Sequence, residues 1–313
     1  MNKSLDISII IPSFNTQNSI KVLISLFLNQ KFIPKEIIVI DSGSNSEIEQ
    51  YLLNLSKINK TLIYKKVSKA YPGTSRNIGI QLAKGKYIAF FDVNTFPDKT
   101  WLEKSYNLIK KLNLDFLIGT RITLSNSYLK RINKFSTYGD SAYIAVTGTI
   151  ILKNYLLKKN LFFLDTRAGE DIDWITRLTN KKKYKTNDNN IYYNGLSGNI
   201  FFNLKKWFTY SLAYAKTPKD LNNQKKIYFS AILYIVIAFL ILNILQFFLF
   251  LSLNLLIYSI FFSIIRPLRT GVLFKELLPI NWLLVFVWRF SFDISKAPGL
   301  ILGFFNLFFK NEK

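Results

Sequence analysis

The chain has 313 residues, of which 50 % are apolar, and its 42 Lys and Arg against 19 Asp and Glu give a formal net charge of +23. This apolar content excludes a disordered chain, and the length allows one large domain with an appendage or two small domains. The sequence contains no Cys and no His, which excludes disulfides, thiolate or imidazole metal sites and His-dependent catalytic triads. A general base must therefore be a carboxylate, a Lys or a Tyr.

The first 226 residues alternate short Ile-rich runs with segments of helical periodicity. The predicted elements are strands at 7–11, 36–40, 61–67 and 86–91 and helices at 19–29 and 46–58. Strands that alternate with helices at this spacing predict an α/β fold with a mostly parallel sheet, which binds ligands at the carboxyl ends of its strands. The candidate binding loops are Pro12 to Asn15, Asp41 to Ser44, Tyr71 to Asn77 and Asp92 to Asp98.

Two of these loops carry groups that suit a nucleotide. Asp41 follows a predicted buried strand and could accept hydrogen bonds from a base or a ribose, although a simple Asx turn explains the segment equally well. Arg76 lies in the segment Gly73 to Asn77, which is predicted as a flexible loop just ahead of a short helix. A cation beside a helix N-terminus is a suitable environment for a diphosphate.

Two acidic segments suit metal binding and proton transfer. Asp92 and Asn94 stand two residues apart at the end of a predicted strand, where both could approach a Mg²⁺ or Mn²⁺ ion; the alternative is that Asp92 caps a turn. Glu170, Asp171 and Asp173 are predicted in the first turn of a helix. Acidic residues there also stabilise the helix dipole, but with no His available a carboxylate is the best candidate base.

In this order the motifs resemble those of the family 2 inverting glycosyltransferases, which have the GT-A fold. The stretches that carry the resemblance are Ile9 to Asn15, Glu36 to Ser44, Gly73 to Trp101, Thr147 to Thr149 and Ala168 to Leu178. The resemblance covers roughly Asp6 to Leu212 and implies that a nucleotide-sugar donor binds to the N-terminal half of the chain. It also implies transfer of one sugar, since the Gln-x-x-Arg-Trp motif of the processive synthases is absent from the sequence.

The resemblance implies a role for each matching residue. Pro12, Ser13 and Asn15 would lie near the nucleotide, and Asp41 would contact its base or ribose. The donor diphosphate would be met by Arg76, Asp92 and Asn94, with Mg²⁺ or Mn²⁺ at Asp92 and Asn94. Asp171 is similar to the catalytic base of the family, and Glu170 would position the acceptor or the loop.

The chain departs from the family pattern at the metal site. The family usually has a second Asp where this chain has Asn94, and often a His where this chain has only Tyr193, Asn194 and Gly195. Losing one anionic and one imidazole ligand weakens metal binding. We therefore expect an enzyme that holds the metal only together with the donor diphosphate, or one that works without it.

An almost uninterrupted apolar run occupies residues 227–265. As helix it would extend about 58 Å, close to twice the thickness of a hydrocarbon core, and Asn243 and Gln246 mark a turn near its middle. Basic residues flank both ends, so the positive-inside rule predicts a multi-pass protein of the cytoplasmic (inner) membrane with its catalytic domain in the cytoplasm. The polar N-terminal segment shows no secretory signal, in agreement with this orientation. The alternative is a buried core hairpin.

The expected domains are a GT-A domain at 1–215, a basic juxtamembrane linker at 216–226, a transmembrane helical hairpin at 227–265 and interfacial or broken membrane-associated helices at 266–313. Charges interrupt the apolar stretch 279–309, which makes a third membrane span costly, although such a span stays an alternative. Within this stretch, Arg289 and Asp293 stand at i and i+4 and could pair.

The segment from Leu204 to Tyr214 mixes cations with aromatic rings, which suits lipid headgroups. No recognition motif accompanies the positive charge, so nucleic acid is not an expected partner. The expected partners are a nucleotide-sugar donor, membrane lipid and a lipid-linked or glycan acceptor. Two rival functions stay open: a polyprenyl-phosphate sugar synthase of the same fold, and a non-catalytic scaffold that binds sugar nucleotides at the membrane.

Overall fold

The structure is a computed structural model that describes residues 4–16, 18–158, 161–162, 166–179, 184–189, 191–214 and 221–308. The chain divides into two compact units. The first, called here the sheet unit, comprises Met1–Leu124 and Ala142–Gly195. The second, the helical unit, comprises Ser125–Ser141 and Leu196–Lys313.

The sheet unit contains nine described strands and six described helices. The strands are β1 (Ser4–Ser13), β2 (Ile33–Asp41), β3 (Leu62–Lys66), β4 (Tyr87–Phe90), β5 (Thr95–Pro97), β6 (Phe116–Thr123), β7 (Tyr143–Leu152), β8 (Thr186–Asn187) and β9 (Ile191–Tyr193). The helices are α1 (Asn18–Leu28), α2 (Ser46–Ile58), α3 (Pro72–Leu82), α4 (Trp101–Leu112), α6 (Lys153–Leu157) and α7 (Glu170–Thr179).

The strands form one mixed sheet in the order β3-β2-β1-β4-β7-β6-β9-β5, with β8 paired to β6. Strands β3, β2, β1 and β4 are parallel, whereas β7 pairs antiparallel with both β4 and β6. Because the carboxyl ends of parallel strands meet at one edge, Ser13, Asp41 and Asp92 lie at the same edge of the sheet. Both faces of the sheet are buried: Ile9 and Ile11 pack into one apolar cluster and Ile10 into another, which explains the continuous Ile run in β1.

The predicted strands and helices of the first 100 residues are confirmed with small changes in their ends, except at one segment. The stretch Gly73 to Asn77 is not a loop ahead of a helix, because it forms the first turns of α3, which begins at Pro72. Proline is well suited to a first helical position because its fixed φ is helical and its missing N–H is not needed there. Arg76 consequently lies on the buried face of the helix, with only 4 % of its surface exposed.

The helical unit contains α5 (Tyr128–Thr137), α8 (Ile200–Tyr214), α9 (Leu221–Ile241), α10 (Ile244–Ile260), a π-helical turn (Phe261–Ile265), α11 (Arg266–Arg269), α12 (Phe274–Leu277) and α13 (Asn281–Phe308). The predicted turn at Asn243 is confirmed as a helix boundary, where Asn243 and Gln246 cap the start of α10 reciprocally. Ring contacts between Tyr234 and Phe250 and between Phe239 and Phe247 join α9 to α10 across this boundary.

Among the described residues, one helix is long and apolar enough to cross a membrane. It runs from Ile244 to Arg269 through the π-helical turn, and its most apolar 18-residue stretch has a mean hydropathy of 2.3. The apolar part of α9, Ser230–Ile241, is shorter, so a second span stays a prediction. The linker residues 215–220, which include Lys216 and Lys219, lie outside the described residues.

The stretch after Pro279 forms one helix rather than two. Helix α13 continues through Pro298, and the predicted break there is therefore absent. Gly299 follows immediately and packs against α8, where an added Cβ would lie 2.0 Å from Ser211 Oγ and 2.6 Å from the Phe208 carbonyl oxygen. This close packing holds the helix on both sides of the proline. The predicted i, i+4 pair is confirmed, with Arg289 Nε 2.9 Å from Asp293 Oδ2.

Candidate active site

The loops that follow β1 and β2 are tied to each other by hydrogen bonds. The Ser42 N–H donates to the Ser13 carbonyl oxygen at 2.9 Å, and the Asn15 N–H donates to the Gly43 carbonyl oxygen at 3.2 Å. Asn15 has a φ of 47°, in the left-handed region. The Asn15 and Phe14 side chains are exposed, whereas Ser13 is buried. Ser13 and Asn15, which are predicted to lie near the nucleotide, therefore belong to a pair of loops, those after β1 and β2, that are hydrogen-bonded to each other.

Asp41 is buried and forms the Asx turn that the sequence allowed. Its Oδ1 accepts hydrogen bonds from the Ser44 N–H at 3.0 Å, the Ser44 hydroxyl at 2.8 Å and the Gly43 N–H at 3.3 Å. Its Oδ2 accepts the Tyr64 hydroxyl at 3.0 Å, and burial together with this bond raises the pKa of Tyr64. A ribose hydroxyl or a base N–H would reach Asp41 through the remaining lone pairs of Oδ2, so its predicted donor contact stays a prediction.

Arg76 joins two of the predicted acidic motifs. Its Nη2 donates to Asp92 Oδ1 at 2.8 Å and its Nη1 to Glu170 Oε1 at 3.1 Å, and its guanidinium lies over the Phe162 ring at 5.1 Å. Burial alone would lower the pKa of Arg76, but the charges of Asp92, Glu170 and Asp171 raise it. Arg76 is therefore a permanent cation, and its Nε is buried without a hydrogen-bond partner among the described residues.

The backbone of Asp92 is fixed by two threonines. The Thr95 hydroxyl donates to the Asp92 carbonyl oxygen and also bonds with the Thr147 hydroxyl at 2.8 Å, and the Asp92 N–H donates to Thr147 Oγ1 at 3.4 Å. Thr147 stands on β7, and its hydroxyl contacts both Asp92 and Thr95. Asn94, whose side chain is exposed, accepts a backbone hydrogen bond from Asn194 at 2.9 Å.

A second arginine, which the sequence reasoning missed, faces Asp92. Arg121 Nη1 lies 3.5 Å from Asp92 Oδ2, and Arg121 Nε donates to the Tyr143 hydroxyl at 2.7 Å. Its guanidinium also lies over the rings of Tyr143 and Tyr193, at 5.1 and 4.6 Å from their centroids. Arg121 lies within β6, and no sequence motif surrounds it. Its contact with Asp92 is therefore visible only once β6 is paired with β7 and β9.

The two neighbouring carboxylates at the start of α7 occupy different environments. Gly169 has a φ of +90°, which favours glycine and turns the chain so that Glu170 enters the interior. Glu170 is 5 % exposed, and burial together with the charge of Asp171 raises the pKa of Glu170 to about 7, against the opposing effect of Arg76. Asp171 is more exposed than Glu170 and accepts a hydrogen bond from the Ile172 N–H at 2.9 Å.

Asp173, the third acidic residue of the segment, takes the structural role that the sequence allowed. It pairs with Arg177 one helical turn later at 2.8 Å, and Arg177 also donates to the Leu161 carbonyl oxygen. Trp174 is buried, stacked on Phe162 with ring centroids 4.5 Å apart. Asn77 on α3 bonds reciprocally with the backbone of Phe162, at 3.1 Å in each direction. The contacts of Phe162 with Trp174 and Asn77 connect α7 to α3 and so fix Glu170 against Arg76.

The predicted metal ligands, Asp92 and Asn94, are too few to hold a divalent cation by themselves. The described residues contain no group of three or more Asp, Glu, His or Cys side chains that could hold a metal ion, and Asp92 already faces two guanidiniums. Asp92 and Asn94 can nevertheless supply two oxygen ligands, and Mg²⁺ is commonly held by one or two protein oxygens together with substrate phosphates. The residues present therefore fit a metal that binds together with a diphosphate.

Comparison with known proteins places this site in context. A family model described as glycosyl transferase family 2 matches residues 8–201. The chain is 29 % identical over 203 residues to the poly(ribitol-phosphate) beta-N-acetylglucosaminyltransferase TarP of Staphylococcus aureus, covering 60 % of this chain and 62 % of that protein. It is 29 % identical over 129 residues to the UDP-Glc:alpha-D-GlcNAc-diphosphoundecaprenol beta-1,3-glucosyltransferase WfgD of Escherichia coli, covering 41 % of this chain and 50 % of that protein.

A solved structure has the same fold. The S. aureus TarS fragment 1–349 in complex with UDP-GlcNAc superposes with a TM-score of 0.50 at 15 % identity, covering 94 % of this chain and 92 % of that one. The likeness confirms the predicted GT-A fold. The chain spans between 25 % and 62 % of the length of TarP, WfgD and a Rickettsia bellii glycosyltransferase that is 32 % identical over 177 residues.

The raised pKa of Glu170 predicts how the affinity of the site for anions changes with pH. As pH rises from 6 to 8, Glu170 ionises, because its pKa is about 7, and it adds a negative charge beside Arg76. We expect the affinity of the wild-type chain for uridine diphosphate to fall by about three- to tenfold more than that of the Glu170→Gln variant, whose side chain stays neutral. Isothermal titration calorimetry at pH 6, 7 and 8 measures this difference.

The titration of the ligand's own phosphate is common to both proteins and cancels in the comparison. Parallel pH profiles for the two proteins would show that Glu170 does not titrate in this range.

Proposed function

We propose a reaction for this chain, which belongs to glycosyl transferase family 2 and is a glycosyltransferase. The chain transfers one sugar from a nucleotide-sugar donor to a hydroxyl of a lipid-linked or cell-surface glycan precursor. The transfer inverts the configuration at the anomeric carbon. The observation that carries the proposal is the bridge from Asp92 through Arg76 to Glu170. This bridge joins the predicted diphosphate position to the helix that bears the predicted base, Asp171.

The donor lies at the carboxyl edge of the sheet in this proposal. Its nucleoside is held by the loop pair after β1 and β2, where Pro12, Ser13 and Asn15 form one side and Asp41 the other. The hydrogen bonds between these loops support the assignment, since a preorganised pocket loses less entropy when a ligand binds. The nucleotide complex of the TarS fragment is consistent with a uridine nucleotide.

The diphosphate lies beside Arg76, Arg121 and Asp92. Both guanidiniums are held by stacking and by carboxylate contacts, so their charges are fixed before the leaving group develops negative charge. The carboxylates of Asp92, Glu170 and Asp171 offset that positive charge. A bound Mg²⁺ or Mn²⁺, held by Asp92 and Asn94 with the donor phosphates, would supply further positive charge to neutralise the diphosphate.

Asp171 is the general base in this mechanism. Its carboxylate takes the proton of the acceptor hydroxyl while the hydroxyl oxygen forms a bond to the anomeric carbon. The bond between that carbon and the phosphate oxygen breaks, and its electron pair leaves with the nucleoside diphosphate. Asp171 suits the role by its greater exposure, whereas Glu170 is buried against Arg76. Glu170 therefore acts through Arg76 as a positioning residue.

The acceptor class is supported by what the relatives act on. TarP is named for transfer to a polyol-phosphate polymer and WfgD for transfer to a diphosphoundecaprenol-linked sugar. We assign this chain to the same broad class of cell-envelope precursors. The apolar helix Ile244–Arg269 supports attachment to the cytoplasmic membrane. In this proposal residues 227–265 form a transmembrane hairpin and the catalytic domain lies in the cytoplasm.

Replacing the base tests the catalytic assignment. We expect Asp171→Asn to lower kcat for sugar transfer by about 10² to 10⁴, the usual value of general-base catalysis, while the affinity for uridine diphosphate stays within twofold of wild type. The measurement is release of nucleoside diphosphate from a panel of nucleotide sugars in the presence of membrane-lipid extract. Asp173→Asn is the matched control, because Asp173 pairs with Arg177, and it should keep wild-type kcat.

Unchanged transfer by Asp171→Asn would remove Asp171 from the role of base. Absence of nucleoside diphosphate release by the wild-type protein with every donor would favour a non-catalytic scaffold.

Metal binding should depend on the diphosphate. We expect Mn²⁺ alone to bind weakly, because the described protein ligands are one carboxylate and one amide, and uridine diphosphate to raise the Mn²⁺ affinity at least tenfold. By linkage Mn²⁺ must raise the affinity for the nucleotide by the same factor. Titration of Mn²⁺ followed by electron paramagnetic resonance, with and without uridine diphosphate, measures both effects after subtraction of the metal–nucleotide complex formed in solution.

Asp92→Asn should abolish the enhancement, and Asp98→Asn, at the end of the same loop, should preserve it. Equal Mn²⁺ affinity with and without the nucleotide would contradict the assignment of Asp92 and Asn94.

A further inference from the structure

The helical unit carries its own cluster of charged side chains. Asp293 on α13 accepts hydrogen bonds from Arg289 Nε at 2.9 Å, from Lys296 Nζ at 2.8 Å and from the Tyr258 hydroxyl at 2.7 Å. Tyr258 stands on α10, so the cluster connects that helix to α13. These side chains are partly buried, with exposed fractions of 15 % for Arg289, 20 % for Asp293 and 16 % for Lys296.

A third cation lies within electrostatic range of this group. Arg266 interacts with the charges of Arg289 and Asp293, but its own hydrogen bonds go to neutral carbonyl oxygens, those of Ser136 at 2.8 Å and Thr137 at 2.7 Å. These carbonyls are at the end of α5, where the helix dipole favours a cation. They fix the position of the guanidinium without neutralising it.

The cluster therefore has more positive than negative charge. Arg266, Arg289 and Lys296 contribute three positive charges, and Asp293 contributes one negative charge. Partly buried charges are costly unless they are compensated, and one carboxylate shared by two cations leaves positive charge unbalanced. This imbalance is what an anion-binding site requires, whereas a purely structural ion pair would be close to neutral.

The surroundings of the cations are aromatic. Lys296 Nζ lies 4.4 Å from the centroid of the Trp207 ring, and the Arg289 guanidinium lies 5.0 Å from that of Phe262. The Tyr258 ring packs against Phe290, which is 37 % exposed. Rings of this kind suit a ligand that joins an anionic group to an apolar chain better than they suit a small, fully hydrated anion.

The position of Arg266 along its helix agrees with such a ligand. Arg266 follows Ile244 by 22 residues, which is about 33 Å of helix. A hydrocarbon core is about 30 Å thick. If Ile244–Arg269 crosses the membrane, Arg266 reaches the level of the headgroup phosphates on the side where the helix ends.

We propose that Arg266, Arg289 and Lys296 form a binding site for the phosphate of an anionic lipid. Two sources share this chemistry: a membrane phospholipid and a polyprenyl-phosphate lipid of the kind that carries glycan precursors. The inference depends on the proposed membrane placement of the helical unit and is independent of sugar transfer. Its test is therefore a binding measurement made without any nucleotide sugar, so that it can succeed where the proposed activity fails, or fail where that activity is found.

The experiment uses the full chain in neutral detergent micelles that contain phosphatidylglycerol, phosphatidylcholine or undecaprenyl phosphate. Trp207 contacts Lys296, so tryptophan fluorescence reports occupancy, and native mass spectrometry counts bound lipid. We expect at least one of the two anionic lipids to bind about tenfold or more tightly than phosphatidylcholine. Equal binding of both anionic lipids identifies the phospholipid source, and a preference for undecaprenyl phosphate identifies the carrier lipid.

Single substitutions distinguish a specific lipid-binding site from general attraction of anionic lipid to surface charge. Arg289→Gln and Lys296→Gln should each lower the affinity about tenfold, whereas the charge-conserving Arg289→Lys should retain most of it. Arg269→Gln is the matched control, because it removes the same charge from an exposed position near Arg266, and it should change the affinity less than twofold. Equal losses in Arg269→Gln and Arg289→Gln would overturn the proposal.

Removing the Asp293 carboxylate distinguishes a lipid-binding site from a cluster that only joins the helices, because the two predict opposite changes in lipid affinity. Asp293→Asn leaves three cations without their competitor, so lipid affinity should be maintained or should rise several-fold even if the melting temperature falls. Loss of lipid binding in folded Asp293→Asn protein would show that the cluster serves only to join the helices, and equal binding of phosphatidylcholine would likewise overturn the proposal.

Discussion

Arg76 is buried between two carboxylates that stand far apart in the sequence, Asp92 after β4 and Glu170 at the start of α7. A buried guanidinium without partners would cost several kcal/mol, so the folded sheet unit must bring both acids to it. This requirement orients α7, and with α7 it orients Asp171. The stacking of Phe162 on Trp174 and its bonds to Asn77 provide apolar and polar support for the same contact.

The contact between Arg76 and Glu170 also gives the adjacent carboxylates of Glu170 and Asp171 different roles. Glu170 lies inside the unit, where burial and the charge of Asp171 hold its pKa near 7, and it influences the site through Arg76. Asp171 lies one residue further on the same helical turn and stays accessible to an acceptor. Different burial of two consecutive residues, set by the left-handed Gly169 before them, thus separates a positioning group from a base.

Much of this arrangement follows from local sequence. The Ile runs predict the buried parallel strands, and strand ends predict that Ser13, Asp41 and Asp92 share an edge, because parallel strands align their carboxyl ends. Arg121 could not be predicted, since its contact with Asp92 depends on the pairing of β6 with β7. Nor does the sequence of α3 show that Arg76 faces inward, or that Asp293 would be shared by Arg289 and Lys296, because tertiary packing decides both.

If Asp92 and Glu170 both act on the donor site through the Arg76 guanidinium, their effects on nucleotide affinity are coupled, and a double-mutant cycle measures this coupling. The affinity for uridine diphosphate is measured by calorimetry at pH 8 for wild type, Asp92→Asn, Glu170→Gln and the double variant. We expect non-additive changes, with a coupling free energy of about 1 kcal/mol or more. If the two substitutions were additive within about 0.3 kcal/mol, Asp92 and Glu170 would not act through a shared guanidinium. Residues that share no partner and lie far apart give such additive effects.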